Sequence, residues 1–261
     1  MLATERQARI VAEVERKGSV RVTDLASMLA VSDMTIRRDL DVLARENRLA
    51  KVHGGATTRR TASTDEPGFA AKARRQQPEK AVIAARAASL VEPGAAIGLS
   101  AGTTTATLAG LLLDVDNLTV VTNSIRIADL FHNSGGGHTV VITGGVRTPS
   151  DALVGPLAVS ALQQLHLDTV FLGVHGMDAG AGFTTPNMLE AETDRALVAA
   201  ARKLVVVADH TKWQTVGIST ITTLDRADVL ITDNKLDPDA QECLQERVGQ
   251  LILCDPDTPE H

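Results

Sequence analysis

The chain has 261 residues, 44% of them hydrophobic and only 2% aromatic, so its core must consist mainly of aliphatic side chains. It has no apolar run of about 18 residues and no basic segment followed by an apolar stretch, which argues against a membrane span and a secretion signal. Its two cysteines, Cys243 and Cys254, match no metal-ligand spacing, so we expect reduced thiols in a cytoplasmic protein with no metal site and no cofactor.

The charge is unevenly distributed along the chain. Residues 1–60 hold 12 basic and 8 acidic residues, a balance of +4, whereas residues 61–261 hold 14 and 24, a balance of −10. A basic surplus marks a surface that meets nucleic-acid phosphate, and phosphate would repel the acidic remainder. Because the length also exceeds one average domain, we predict an N-terminal nucleic-acid-binding domain and a second domain with another role.

Two helices are predicted before residue 30. The first opens at Thr4, which has the spacing of a capping box with Gln7, and it ends at Gly18. The second runs from Thr23, as its N-cap, to Leu29. Residues 30–31 then form a turn of the length found in helix-turn-helix motifs.

The next helix, which we call the recognition helix, is predicted over residues 32–43. Ser32 is a suitable N-cap, and Ile36, Leu40 and Leu43 share one face that must be buried. The opposite face suits base edges and phosphates in a DNA major groove, and it presents Met34, Thr35, Arg37, Arg38 and Asp41. For this helix taken alone, an ordinary helical bundle with solvated arginines is the alternative.

A small β wing is predicted after the recognition helix, because residues 48–53 alternate in character and end at Gly54-Gly55. Arg48, Lys51 and His53 would lie beside the DNA backbone, where cations supply most of the sequence-independent affinity. A merely flexible glycine turn and a surface histidine are the alternatives here.

Residues 4–57 resemble the winged helix-turn-helix domain of the DeoR family of bacterial transcription regulators. The resemblance rests mainly on the run TIRRDL at 35–40 and the run VHGGA at 52–56. It implies DNA contact by the helix from Ser32 and by the wing. The candidate DNA-binding residues are Thr23, Ser32, Met34, Thr35, Arg37, Arg38, Lys51 and His53.

Residues 58–78 are polar and contain Pro67 and Gly68, which predicts a linker between a domain of residues 1–57 and one of residues 79–254. In the larger domain strands alternate with helices, and the apolar runs resemble strands buried on both faces of a parallel sheet. The predicted fold is therefore doubly wound α/β. The predicted helices are 79–91, 105–113, 125–132, 151–163, 189–201 and 237–247, and the predicted strands are 95–99, 118–122, 138–143, 168–174, 203–208, 229–232 and 250–254.

Small polar residues follow the predicted strands, at the edge where ligands bind in such sheets. The segment Ser100-Ala101-Gly102-Thr103-Thr104-Thr105 opens a helix and combines hydroxyls with free N–H groups, which favours an anion. Taken alone, each such segment is more typical of a helix cap or a turn, and Lys212 could be an ordinary surface lysine. The other candidates for contact with a phosphorylated, polyhydroxylated small molecule are Asn123, Ser124, Gly145, Arg147, His175, Asp178 and Lys212.

Residues 79–250 resemble the sensor domain of the same family through runs such as GTTT, VVTNS, LVGP and EAE. The resemblance implies a phosphosugar-binding fold akin to ribose-5-phosphate isomerase. It also implies effector contacts at Thr103, Thr104, Thr105, Asn123, Ser124, Asp178 and Lys212. Two departures remove carboxylates that the family usually has, at Ser100 and at His175, so we expect atypical effector contacts. His175 is interpreted equally as a hydrogen-bond partner and as a space-filling side chain.

The leading hypothesis is a DNA-binding transcription regulator, a repressor of carbohydrate-metabolism genes, that responds to a phosphorylated sugar. Paired half-sites on DNA favour a homo-oligomer. The alternative is a phosphosugar aldose–ketose isomerase, for which Asp178, Glu190 and Glu192 are the available general bases. A structural DNA-bridging protein is the third hypothesis.

Overall fold

The computed structural model describes residues 2–17, 19–45, 48–52, 54–57, 64 and 68–257. The chain divides into an N-terminal unit, residues 1–62, and a C-terminal unit, residues 63–261. The N-terminal unit combines helices with a small antiparallel sheet in the order β1-β3-β2. Its elements are α1 (Ala3–Lys17), β1 (Ser19–Arg21), α2 (Val22–Leu29), α3 (Asp33–Arg45), β2 (Ala50–Val52) and β3 (Gly55–Thr57).

The N-terminal unit is a winged helix-turn-helix, as predicted, but two helices start differently. Helix α1 begins at Ala3, so Thr4 lies inside the helix and does not cap it. Helix α2 begins at Val22, directly after strand β1, so Thr23 is its second residue. Val20 and Val22 are both buried, so strand β1 continues directly into helix α2. No loop separates the two elements in which Thr23 could act as an N-cap.

The wing consists of β2 and β3, and β1, which the sequence did not predict, adds a third strand. A Cβ on Gly55 would clash with the Val20 carbonyl oxygen, so the close approach of β3 to β1 requires glycine. The core beneath is aliphatic and includes Ile10, Val14, Leu25, Ile36, Leu40 and Leu43, each at most 1% exposed.

The C-terminal unit is built on a seven-stranded sheet in which every pairing is parallel. Its strands are β4 (Ala96–Leu99), β5 (Thr119–Thr122), β6 (Thr139–Ile142), β9 (Leu167–Gly173), β12 (Ala201–Val207), β14 (Val229–Asp233) and β15 (Leu251–Cys254). The remaining strands are β7 (Val146–Arg147), β8 (Leu153–Val154), β10 (Gly176–Asp178), β11 (Gly182–Thr185) and β13 (Ser219–Thr222). The helices are α4 (Phe69–Ala73), α5 (Gln77–Ala88), α6 (Thr103–Leu111), α7 (Ile125–Ser134), α8 (Pro156–Leu162), α9 (Met188–Ala199) and α10 (Pro238–Gln245).

Helices cover both faces of this sheet. Val205 packs in a cluster with residues of α5, α6 and α7, whereas its neighbour Val206 packs in a cluster with residues of α8, α9 and α10. Successive strand residues point to opposite faces, so the two clusters are the two sides of one sheet. The predicted doubly wound α/β fold is confirmed.

The strand order is β15-β14-β12-β9-β4-β5-β6, so the chain builds outward in one direction from β4 and in the other from β9. The order therefore reverses between β4 and β9. Ligands of doubly wound sheets bind beyond the carboxyl ends of the strands at such a reversal. A ligand site is therefore expected at the segments that follow Leu99 and Gly173.

Part of one predicted helix is wrong. Within the predicted helix 151–163, residues 153–154 form β8, and helix α8 begins only at Pro156. Proline lacks an N–H group and fits the first turn of a helix, so it marks the start of α8. The predicted linker also contains α4 and the first residues of α5. Among the described residues, no helix has the length and apolarity needed to cross a membrane.

Candidate functional site

The recognition helix begins as predicted. The Ser32 hydroxyl oxygen accepts a hydrogen bond from the Thr35 N–H at 3.2 Å, which satisfies one of the free donors at the start of α3. Asp33 occupies the first turn, where the helix dipole favours a negative charge.

The two faces of α3 are separated as the sequence pattern predicted. Met34 is 75% exposed, Arg37 and Arg38 are exposed, and Thr35 is half-buried. Within the part of the chain that the structure describes, neither guanidinium forms an ion pair. The arginines are therefore available to an external anion, and their contact with DNA remains a prediction.

Asp39 anchors the recognition helix from its buried side, a role that the sequence analysis missed. Its carboxylate is 3% exposed and accepts bonds from Arg6 Nε at 2.5 Å and from Gln7 Nε2 at 3.1 Å. Both donors belong to α1. Asp39 lies three residues after Ile36 and four before Leu43, so helical spacing placed it on the buried face, but the sequence gave no sign of its partner Arg6, 33 residues away.

We expect Asp39→Asn to weaken operator binding at least tenfold and to lower the melting temperature, because a buried ion pair that loses one partner strands the other charge. Gel shift and thermal unfolding measure the two effects. Glu5→Gln is the matched control, since it removes an exposed pair with Arg9 that contributes little to stability. Unchanged affinity and stability in Asp39→Asn would contradict the anchoring role.

The other predicted DNA-binding residues differ in pairing and exposure. Lys51 Nζ lies 2.5 Å from Asp41 Oδ1, and both side chains are about half exposed. An exposed pair of this kind is worth about 1 kcal/mol or less, so Lys51 can exchange Asp41 for a phosphate. His53 lies outside the described residues. Thr23 is exposed on α2.

In the C-terminal unit, the segment after β4 meets the end of β9, as the strand order requires. The Gly173 N–H donates to Ser100 Oγ at 2.9 Å, and Thr105 Oγ1 donates to the Ser100 and Gly102 carbonyls at 2.7 and 3.1 Å. Ser100 and Thr105 are fully buried. Their hydroxyls therefore hold the turn in place, and the ligand contact predicted for these residues remains a prediction.

Asn123 and Ser124 also serve the protein's own backbone. Asn123 Oδ1 accepts from the Ala101 N–H at 2.9 Å, and Ser124 Oγ caps α7 by accepting from the Ile127 N–H at 3.4 Å. Both side chains are at most 2% exposed. The two segments after β4 and β5 are thus brought together, with Asn123 bonded to the backbone of the segment after β4 and Ser124 to the start of α7.

The open space in this region is a cavity of about 370 Å³ at the start of α6. This volume is in the range of small-molecule sites. Thr103, the first residue of α6, is half-buried and lines the cavity, whereas Thr104 is buried and is absent from the lining. The lining residues are Phe69, Ala73, Gln77, Lys80, Thr103, Ala106 and Thr107.

Lys80 is the charged residue of this cavity, and the sequence analysis did not single it out. It is 6% exposed, and its Nζ donates to the Lys72 and Arg75 carbonyls at 2.6 Å each. An ammonium group has three donors, so these two bonds leave one for a ligand. Lys80 shares the buried face of α5 with Ile83 and Ala87, and a lysine within such an apolar stripe was the available signal.

The electrostatic environment of Lys80 is cationic. Burial lowers the pKa of Lys80, the negative charge of Asp209 raises it, and the positive charges of Lys212, Lys72 and Arg75 lower it further. Lys212, predicted from the sequence, thus acts on Lys80 from the turn His210–Lys212 that follows β12. An anion in the cavity would relieve this repulsion.

Arg147 and Gly145 belong to the hairpin β7–β8. Arg147 Nε and Nη2 lie 2.8 and 2.5 Å from Asp151 Oδ1, and Arg126 Nε lies 2.8 Å from Asp151 Oδ2. Hydrogen bonds from Arg126 and Arg147 lower the pKa of Asp151. Arg147 therefore shares one carboxylate with Arg126 and stays largely exposed, and its contact with an effector remains a prediction. A Cβ on Gly145 would clash with Val154 in this hairpin.

Two of the predicted carboxylates have structural partners. Asp178 Oδ1 accepts from the Gly180 and Ala181 N–H groups at 2.8 and 2.9 Å, so it closes the turn between β10 and β11. Glu190 accepts from the Thr148 hydroxyl at 2.7 Å and from the Thr185 hydroxyl at 3.2 Å. The effector contact predicted for Asp178 remains a prediction.

His175, the other departure from the usual family pattern, lies directly between β9 and β10. Its N–H donates to the Thr184 carbonyl at 3.2 Å, and its side chain is half-buried. Among the described residues, no group of three or more His, Cys, Asp and Glu side chains is arranged to hold a metal ion.

Comparison with solved structures gives low similarity. A ribose 5-phosphate isomerase A from Neisseria gonorrhoeae is 17% identical, with a TM-score of 0.39 over 52% of this chain and 53% of that chain.

Comparison with known sequences gives matches over almost the whole chain. It is 34% identical to the uncharacterized HTH-type transcriptional regulator YulB of Bacillus subtilis, over 95% of each protein. It is 30% identical to a putative aga operon transcriptional repressor of Escherichia coli O157:H7, over 96% of this chain and 93% of that protein. It is 29% identical to the glycerol-3-phosphate regulon repressor of Escherichia coli K12, over 97% of this chain and 100% of that protein.

Family models account for both units. The DeoR-like helix-turn-helix domain matches residues 6–62, and the DeoR C terminal sensor domain matches residues 75–234. These matches agree with the winged helix-turn-helix, the parallel α/β sheet and the runs quoted above. The chain belongs to the DeoR family of transcriptional regulators.

Proposed function

We propose that this regulator is a homo-oligomeric repressor, without catalytic activity, that binds operator DNA in the cytoplasm through α3. Its C-terminal unit binds a phosphorylated sugar or a related metabolite in the cavity at the start of α6, and this binding changes operator affinity. The observation that carries the proposal is Lys80, a buried cation with one free donor in a cavity beside a helix N-terminus.

The phosphoryl group is the part of the metabolite that the cavity fits best. The first N–H groups of α6, from Thr103 onward, have no partner within the helix, and they carry the positive end of the helix dipole. Helix N-termini bind phosphate for this reason. Lys80 adds a full positive charge at the same cavity, and the positive charge of Lys212, which acts on Lys80, increases the attraction for an anion.

The rest of the cavity suits a small polyhydroxylated body. Gln77, Thr103 and Thr107 contribute polar groups, and Phe69 contributes one apolar wall. One relative is named for the glycerol-3-phosphate regulon, and glycerol 3-phosphate is a phosphorylated polyol. Phosphorylated sugars and polyols are therefore the first class of effector to test.

The lining of the cavity favours a sensor over an isomerase. Moving a proton between adjacent carbons needs a general base within reach, usually a carboxylate. The residues that line the cavity include one lysine and no aspartate or glutamate. Of the three bases considered for an isomerase, Asp178 and Glu190 accept bonds from the protein's own turn and threonine hydroxyls. The third, Glu192, is exposed on α9 and is absent from the lining.

A gel shift on the DNA upstream of the protein's own gene tests the proposal, with a panel of phosphosugars added. We expect one phosphorylated compound to change operator binding, and its dephosphorylated counterpart to have no effect at the same concentration. The same compound should raise the melting temperature, because it binds only the folded state. Lack of any response across the panel, or turnover of a phosphosugar, would contradict the proposal.

A further inference from the structure

A chain of charged groups connects the turn after β12 to the first turn of α5. Its centre is Asp233, at the end of β14 and fully buried. Asp233 Oδ2 accepts from the His210 N–H at 2.8 Å, and Asp233 Oδ1 lies 2.8 Å from His210 Nδ1. The same carboxylate accepts from the Lys235 N–H at 3.2 Å. Asp233 thus bonds the backbone of His210 and lies within ion-pair distance of its ring.

The other end of this chain of groups is Glu79. Lys235 Nζ lies 2.8 Å from Glu79 Oε1, and Glu79 is only 4% exposed in the first turn of α5. The next residue is Lys80, which lines the cavity. The network therefore reaches the helix that carries the proposed anion ligand.

One end of the network is next to Lys80, which lines the cavity, and the other is near Lys212, whose positive charge acts on Lys80. His210 is two residues before Lys212, in a turn of only three residues, and Glu79 is adjacent to Lys80. A shift of the His210–Lys212 turn would change the distance between the two ammonium groups. Because the interaction between charges falls with distance, it would also change the attraction for an anion.

We propose that His210 is a positioning residue for anion binding: its protonated ring pairs with Asp233 and holds the turn that carries Lys212. When the ring loses its proton, the ion pair is lost and the affinity for the anion falls. This inference rests on the proposed function of the cavity. It adds regulation by pH to a site whose ligands are not themselves histidines.

The charges around His210 favour its protonated form. The hydrogen bond with Asp233 raises the pKa of His210, burial lowers it, and the negative charges of Asp233, Asp209 and Glu79 raise it further, so that it lies above its usual value on balance. The contribution of the His210–Asp233 ion pair to anion affinity is therefore complete below about pH 6.5, and it is lost as the pH rises through the raised pKa of His210. The charged groups around the ring are Asp233 and Lys235 after β14, Glu79 and Lys80 on α5, and Asp209 and Lys212 in its own segment.

Sulfate is the appropriate probe, because it keeps both charges across this range whereas a phosphate ester titrates near pH 6. Sulfate affinity of the full chain is measured by calorimetry at pH 6.0 and pH 8.5, at constant ionic strength. We expect roughly three- to tenfold tighter binding at the lower pH, the effect of losing one nearby charge. In His210→Gln the amide can still bond Asp233 but does not titrate, so the ratio between the two affinities should fall toward one.

Proton NMR of the histidine rings gives an independent readout. The His210 signal is identified by its loss in His210→Gln, and its midpoint should move to lower pH in Asp233→Asn. His166→Gln, at an exposed histidine before β9, is the matched control and should keep the wild-type pH profile. A wild-type His210 midpoint below about 6.5, or an unchanged affinity ratio in His210→Gln, would overturn the inference.

The two proposals fail in different ways. Sulfate binding that depends on Lys80 but not on pH would refute the role of His210 and leave the cavity as an anion site. Absence of sulfate binding at every pH would refute the anion site and the positioning role together.

Discussion

Replacing Arg37 and Arg38 together with alanine is expected to abolish specific operator binding while leaving the fold intact. Both side chains are exposed on α3 and unpaired among the described residues, and the buried face of the helix is formed by other residues. A good contact between an arginine and a base is worth about 1–3 kcal/mol, so losing two should weaken binding by about 100-fold or more.

The measurement is a gel shift or fluorescence titration at several salt concentrations. If both arginines contact phosphates, the slope of log affinity against log salt should fall by about two, whereas base contacts would reduce discrimination between operator and random DNA. Arg9→Ala, which removes an exposed arginine on α1, is the matched control. Retained specific binding in the double variant would disprove the assignment of α3 as the recognition helix.

The second large effect is expected for Lys80→Met, which keeps the length of the side chain but removes its charge. We expect the variant to bind operator DNA as the wild type does, yet to lose the response to the phosphorylated effector. A hydrogen bond to a charged group contributes about 1.5–3 kcal/mol, and the helix N-terminus alone cannot replace it. Effector affinity should therefore fall by about ten- to 100-fold.

Lys80 also donates to two carbonyl groups, so its loss will cost some stability, and the melting temperature of Lys80→Met must be measured alongside. Lys203→Met, at an exposed position of β12, controls for the loss of one positive charge. An effector response in Lys80→Met equal to that of the wild type would show that the phosphoryl group binds elsewhere.

Periodicity predicted the parts of this fold that burial determines. The stripe of Ile36, Leu40 and Leu43 predicted the recognition helix, and the β-branched runs predicted the strands of the parallel sheet. The spacing of hydroxyls was less informative, because Thr4 and Thr23 have the residue types of caps but lie inside their helices. A capping signal competes with the burial of neighbouring residues, and at Val22 burial decided where the helix starts.

The candidate ligand residues show a similar limit. The sequence predicted that the segments after β4, β5 and β9 lie at one edge of the sheet, because the carboxyl ends of parallel strands share an edge. It could not tell which hydroxyls face a cavity and which close a turn, and Ser100 and Thr105 prove to close one. Lys80 was missed although its place in the apolar stripe of α5 was a signal, and Asp233 was missed because its partner His210 lies 23 residues away in the chain.

The exposure of Met34 has a consequence for how the operator is read. Its thioether is 75% exposed in the first turn of α3, an unfavourable position for an apolar group in water. Contact with the methyl group of a thymine would bury it, and burial of apolar surface gives association a negative heat-capacity change. Calorimetry of Met34→Ser against the wild type should therefore show a smaller heat-capacity change and a weaker preference for thymine over cytosine in the half-site.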